Sequence, residues 1–190
     1  MKEERKEHPL SLFRFCPKCG SPRFTERNGK SKGCEDCGFV YYINPSAATV
    51  AFILRRGNRP EECELLVVRR AKEPAKGTLD LPGGFSDLWE TSEEGVRREV
   101  MEETGLKVKS EKFLFSIPNR YLYSGFTVHT MDMFYLCEVE ENDEIRAMDD
   151  AEDAMWIKVQ DIYPEKFGLE SIRHGIEKFL ANFPIYIRYK

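Results

Sequence analysis

Residues 84–106 read GFSDLWETSEEGVRREVMEETGL, and no other stretch constrains this 190-residue chain as strongly. The segment satisfies G-x5-E-x7-R-E-U-x-E-E-x-G-U, with U apolar, at Gly84, Glu90, Arg98, Glu99, Val100, Glu102, Glu103, Gly105 and Leu106. Thr91 and Ser92 are good N-cap residues, Glu93 and Glu94 suit the positive end of a helix, and Gly105 suits the left-handed position that ends one. The spacing therefore predicts a helix over 92–104. On it Glu99, Glu102 and Glu103 fall at i, i+3 and i+4, which places three carboxylates on one face. Val96 and Val100 fall on the other side, where they would anchor the helix to a core.

Like charges so close repel, and a divalent cation relieves the repulsion. Oxygen-only ligands point to Mg2+ or Mn2+ in preference to zinc. The plainer reading is a solvated acidic helix with Glu94 paired to Arg97 or Arg98. Against it stands Pro82-Gly83-Gly84, a loop with so little side-chain bulk that backbone can approach a phosphate or a metal closely.

Elsewhere the chain is that of an ordinary globular protein, 41% hydrophobic and 33% charged. No apolar run approaches the length of a membrane span, and the charged start MKEERKEHPL is not a leader, so a cytoplasmic protein with no membrane partner is expected. A net charge of −4 disfavours a general nucleic-acid binder, although residues 1–40 carry nine Lys/Arg against six Asp/Glu.

Cys16-x-x-Cys19-Gly and Cys34-x-x-Cys37-Gly are separated by 14 residues, close to zinc-ribbon spacing. Four thiolates leave no open coordination position, so a zinc held there is structural. Two disulfides would use the same residues, but a reducing cytosol disfavours them. Cys63 and Cys137 lie in apolar, strand-like surroundings and read as core.

The expected organisation is a tail over 1–12, the ribbon over 13–42, and a mixed α/β domain over 43–190. Strands are expected at 47–55, 64–70, 112–117 and 127–139, and a second helix over 162–183. The apolar tail 183–189 is available for contact with a second copy.

The box resembles that of the Nudix hydrolases, over about residues 43–165. This resemblance implies an α/β/α sandwich with a mixed sheet and hydrolysis of the pyrophosphate in a nucleoside diphosphate linked to another group. By position it implies that Glu99 and Glu103 ligate metal, that Glu102 ligates metal or activates water, and that the Gly84 carbonyl reaches a metal. Glu90 and Arg98 orient the helix and loop. The base stays open between Glu102, Glu103 and a further carboxylate, for which Asp150 stands where related sequences carry a metal-holding glutamate. A ribbon ahead of the box is similar to family members that act on NADH, and to others acting on ADP-ribose or FAD with release of AMP. A homodimer is part of the same resemblance.

Two departures stand out. Related NADH pyrophosphatases read S-Q-P-W-P-F-P-x-S where this chain has Ser116-Ile-Pro-Asn-Arg-Tyr-Leu-Tyr-Ser124, so Arg120, Tyr121 and Tyr123 become candidate substrate contacts, through phosphate pairing and ring stacking. Related boxes also carry glycine where this chain has Trp89. A different class of function, a nucleotide sensor or a DNA- or RNA-binding regulator, would use the same domain without hydrolysis. Such sensors tend to have broken boxes.

Overall fold

The computed structural model describes residues 8–140, 145 and 151–187. Two compact units make up the chain, Met1–Pro45 with Leu122–His129, and Ser46–Tyr121 with Thr130–Lys190.

In the smaller unit, strands β1 (Phe24–Asn28), β2 (Ser31–Cys34) and β3 (Val40–Tyr42) form an antiparallel sheet. Its small core is Cys16, Phe24 and Cys34, flanked by Phe13, Cys37 and Phe39. The ring of Phe13 stacks on Tyr41 and meets Phe126 edge-on.

The larger unit is built on β4 (Ser46–Arg55), β5 (Glu64–Arg70), β6 (Leu79–Asp80), β7 (Gly83–Phe85), β8 (Val108–Tyr123), β9 (Phe126–Val139) and β10 (Ala151–Lys158). The sheet order is β10-β5-β4-β9-β8, with β6 on β5 and β7 on β4. Strand β4 runs parallel to β9 and antiparallel to β5 and β7, which makes the sheet mixed.

Helix α1 (Ser92–Thr104) and helix α2 (Glu170–Tyr186) cover opposite faces of this sheet, because side chains alternate along a strand. Val50, Phe52, Leu65, Val67, Phe134 and Leu136 pack with Ile172, Ile176 and Phe179 of α2. Ala51, Ile53, Leu66, Tyr135 and Cys137 pack with Val96 and Val100 of α1. Both valines are fully buried, which stabilises the docking of α1 by about 1.5–3 kcal/mol each. Cys63 and Cys137 are buried core residues, as their surroundings predict.

Three expectations need revision. Strands β8 and β9 are longer than predicted and meet at a tight turn in which Ser124 and Gly125 both have positive φ, the geometry of a two-residue hairpin. Consequently 116–123 is strand. Helix α2 starts at Glu170, because Pro164–Lys166 closes a separate 3-10 turn and Phe167 bridges to Leu79 of β6. Within residues 183–187 of the apolar tail, Phe183, Tyr186 and Ile187 pack against the α2-side core and Ile185 is exposed.

Candidate active site

Helix α1 begins and ends where its caps place it. Thr91 accepts a hydrogen bond from the Glu94 backbone N–H and Glu94 reciprocates toward Thr91, while Gly105 terminates the helix at φ +72°. Glu94 is thereby committed to the cap, and Arg97 pairs with Glu111 at 2.6 Å, so the pairing expected of a plain solvated helix is absent.

Arg98 is the hub of the box. Its Nε donates to Glu90 at 2.9 Å, its Nη1 stands 2.8 Å from both Glu99 and Glu102, and its Nη2 donates to the Phe85 carbonyl at 2.9 Å. One guanidinium thus ties the helix to the loop that precedes it. Glu90 also accepts from the Asp87 backbone N–H at 2.8 Å, which closes that loop. The Arg98 hydrogen bond holds the Glu90 carboxyl below its ordinary range, and the surrounding carboxylates hold Arg98 protonated. At Glu99 burial prevails over the attraction of Arg98, so its pKa is raised.

Glu103 is buried and accepts from the Gly83 backbone N–H at 3.1 Å. Glu99 lies against Gly84 so closely that a Cβ there would stand 2.6 Å from the carboxylate. The glycine loop is pinned in turn by pairing of Gly83 and Gly84 with Val50 and Thr49 of β4. Glu99, Glu102 and Glu103 therefore occupy one helix face. Arg98 pairs with Glu99 and Glu102, and the Gly83 amide donates to Glu103, which offsets part of the repulsion among these like charges. Asp150 lies outside the described residues.

Trp89 is fully exposed and has φ +70°, the left-handed region that favours glycine. The tryptophan side chain projects into solvent. Arg120 and Tyr123 are exposed on the β8 hairpin, and Tyr121 is half-buried.

Two buried aspartates escaped the sequence reading. Asp80 takes an ion pair from Arg70 and a 2.8 Å hydrogen bond from the Leu81 backbone N–H, fixing the chain just ahead of Pro82-Gly83. Burial raises its pKa in spite of Arg70. Asp132 of β9 accepts from Thr130, Ser171 and Asn119. The sequence signal for it is a charge at 132 on the strand face that Phe134 and Leu136 give to the core.

In the smaller unit the Sγ atoms of Cys16, Cys19, Cys34 and Cys37 all lie within 4.8 Å of one another. The closest pairs, Cys16–Cys37 at 3.7 Å and Cys19–Cys34 at 3.6 Å, are far beyond disulfide length. They match the edge of about 3.8 Å that four Zn–S bonds of about 2.3 Å give a tetrahedron. Burial pushes the Cys34 thiol up, but the Cys37 backbone N–H and the neighbouring sulfurs outweigh it and bring it to about 7. The Ser21 backbone N–H pulls Cys19 down, yet the adjoining thiols, Cys37 foremost, push it up to about 12.

Comparison with known proteins agrees with this geometry. The NUDIX domain model matches residues 44–183. The chain is 29% identical over 169 residues to the NAD-capped RNA hydrolase NudC of Chromobacterium violaceum, covering 87% of this chain and 59% of that protein. It therefore spans about three-fifths of that relative's length. It is 35% identical over 133 residues to the ADP-ribose pyrophosphatase of Methanocaldococcus jannaschii, covering 69% of this chain and 72% of that one. The NUDIX hydrolase from Nitrosomonas europaea has the same fold, with a TM-score of 0.66 over 89% of this chain and 91% of that chain at 18% identity. With the family model spanning most of its length and every specified box position filled, the chain belongs to the NUDIX domain family.

Proposed function

We propose that the protein hydrolyses the pyrophosphate of a nucleoside diphosphate linked to another moiety, with ADP-ribose, NAD(H) and FAD as candidate substrates and AMP as a product. The observation that carries this reading is the Glu99 carboxylate seated against Gly84, with Glu102 and Glu103 on the same helix face. That donor set is all oxygen and sits beside a loop whose backbone a phosphate can approach, which fits Mg2+ or Mn2+.

Gly84, Glu99, Glu102 and Glu103 would hold the cation, with Asp150 as a further ligand. Bound there, the cation supplies positive charge to the non-bridging phosphate oxygens and lowers the pKa of a water. Glu102 and Glu103 are the carboxylates that act on the attacking water. Arg98 and Glu90 keep helix and loop in register, and the Gly83 amide aims Glu103. Arg120 contacts phosphate; Tyr121, one position on, points to the other face of β8, and Tyr123 lies in the smaller unit, so neither is assigned to the base. Cys16, Cys19, Cys34 and Cys37 hold a structural Zn2+.

Incubation with Mg2+ and ADP-ribose, NADH, NAD, FAD or NAD-capped RNA, followed by chromatography, tests the reading; the capped RNA is included because one relative carries that activity in its name. AMP from the free dinucleotides or from ADP-ribose is the expected result. Binding of these compounds with no hydrolysis of any overturns it in favour of a sensor.

A further inference from the structure

We propose that Asp132 is a positioning residue for substrate selection, acting through Asn119 on the strand that carries Arg120. This rests on Arg120 being a substrate contact, as read above. Asp132 is 5% exposed, and both its oxygens are occupied. Thr130 Oγ1 donates to Oδ1 at 2.6 Å, and Ser171 Oγ and Asn119 Nδ2 donate to Oδ2. A carboxylate this buried is costly unless hydrogen-bonded, and its donors come from β8, β9 and the first turn of α2. The charge therefore fastens three elements at one point.

The β8 member of this junction is held by its ladder to β9 and by the Ser124-Gly125 turn, while few of its side chains are buried. Along residues 118–123, Pro118, Arg120, Leu122 and Tyr123 are exposed and Asn119 and Tyr121 half-buried, so the apolar pattern that normally specifies register is missing. Pro118 cannot donate to the ladder. Asn119 supplies the pin: its Nδ2 is fixed by Asp132 at 3.2 Å and its Oδ1 accepts the Arg120 backbone N–H at 2.8 Å. Asp132 meets Ser171 of α2, so Asn119 points to the α2 face. The pleat then directs Arg120 to the opposite face, the one on which α1 packs.

The test is a double-mutant cycle on the full chain, with KM and kcat for ADP-ribose and the thermal midpoint as readouts. Arg120→Ala and Asn119→Ala should each raise KM about ten-fold with kcat changed less than about three-fold, and the double variant should be no worse than either. Ser171→Ala, which removes a different donor from the same carboxylate, should lower the midpoint and leave KM unchanged. Asp132→Ala should copy Asn119→Ala if it folds, and Asn119→Ala decides the matter if it does not. A KM rise in Arg120→Ala with none in Asn119→Ala overturns the positioning role alone, as does an additive double variant. No KM change in Arg120→Ala overturns the substrate assignment, and the proposal with it.

Discussion

Glu103 accepts a hydrogen bond from the Gly83 backbone N–H at 3.1 Å, so a carboxylate on the box helix and the glycine loop ahead of it are fixed to each other. Replacing the charge while keeping an acceptor separates chemistry from folding. Glu103→Gln should reduce turnover by about 10^3-fold or more and leave the circular dichroism spectrum and thermal midpoint nearly unchanged. Activity near that of the parent would remove Glu103 from the metal site.

The two loop glycines should respond differently to alanine. At Gly83 a Cβ would stand 2.1 Å from the Thr49 carbonyl oxygen, which belongs to a central strand and cannot yield; Gly83→Ala should cost about 2–4 kcal/mol in urea unfolding. At Gly84 the Cβ would meet the end of the Glu99 side chain, which can rotate away. Gly84→Ala should therefore keep most of its stability and lose activity and Mn2+ affinity by about ten-fold or more, a displaced metal ligand being the cause.

Trp89 bears a left-handed backbone without burying its ring. That conformation costs a non-glycine residue about 1–2 kcal/mol, part of which glycine returns as unfolded-state entropy. Trp89→Gly should raise the urea midpoint by an amount equivalent to at most about 1 kcal/mol. A lowered midpoint would mean that the exposed indole makes a stabilising contact in solution.

Glu90 gives a pH signature. Arg98 holds its pKa below the ordinary 4.5, so the folded chain keeps the carboxylate ionised where the unfolded chain takes up a proton. The stability it contributes is present above about pH 4.5 and is lost as pH falls through the lowered value. Comparing parent and Glu90→Gln by urea unfolding from pH 7 to pH 3, the parent's advantage should shrink on acidification. A constant difference would show that the ion pair does not set it.

Zinc removal should act on the smaller unit. The purified chain is expected to carry one zinc, seen by X-ray absorption as four sulfurs at about 2.3 Å. Chelation, or Cys34→Ser, should open residues 13–42 to trypsin, because among the described residues the unit's buried cluster of Cys16, Phe24 and Cys34 is small and two of its three members are proposed zinc ligands. Unchanged protease resistance after zinc loss would show that the ribbon folds by packing alone.

Much of this protein is written in local sequence. Thr91, Glu94 and Gly105 set the bounds of α1, and the spacing of Glu99, Glu102 and Glu103 puts them on one face, because caps and helical repeats involve residues at most four apart. The two Cys-x-x-Cys-Gly turns are legible for the same reason, and partial alternation over 127–139 marks β9 as a strand. Tertiary structure decided the rest. Nothing in the spacing says that Arg98 would hold Glu99 and Glu102 together while Glu103 turns to an amide twenty residues back. Asn119 and Asp132 are 13 positions apart, and Ser171 lies 39 beyond Asp132, so their junction exists only once β8, β9 and α2 have met. The start of α2 likewise depends on Phe167 reaching Leu79. Helical periodicity and capping are short-range properties of the backbone, whereas a buried carboxylate gathers its donors from wherever the fold delivers them.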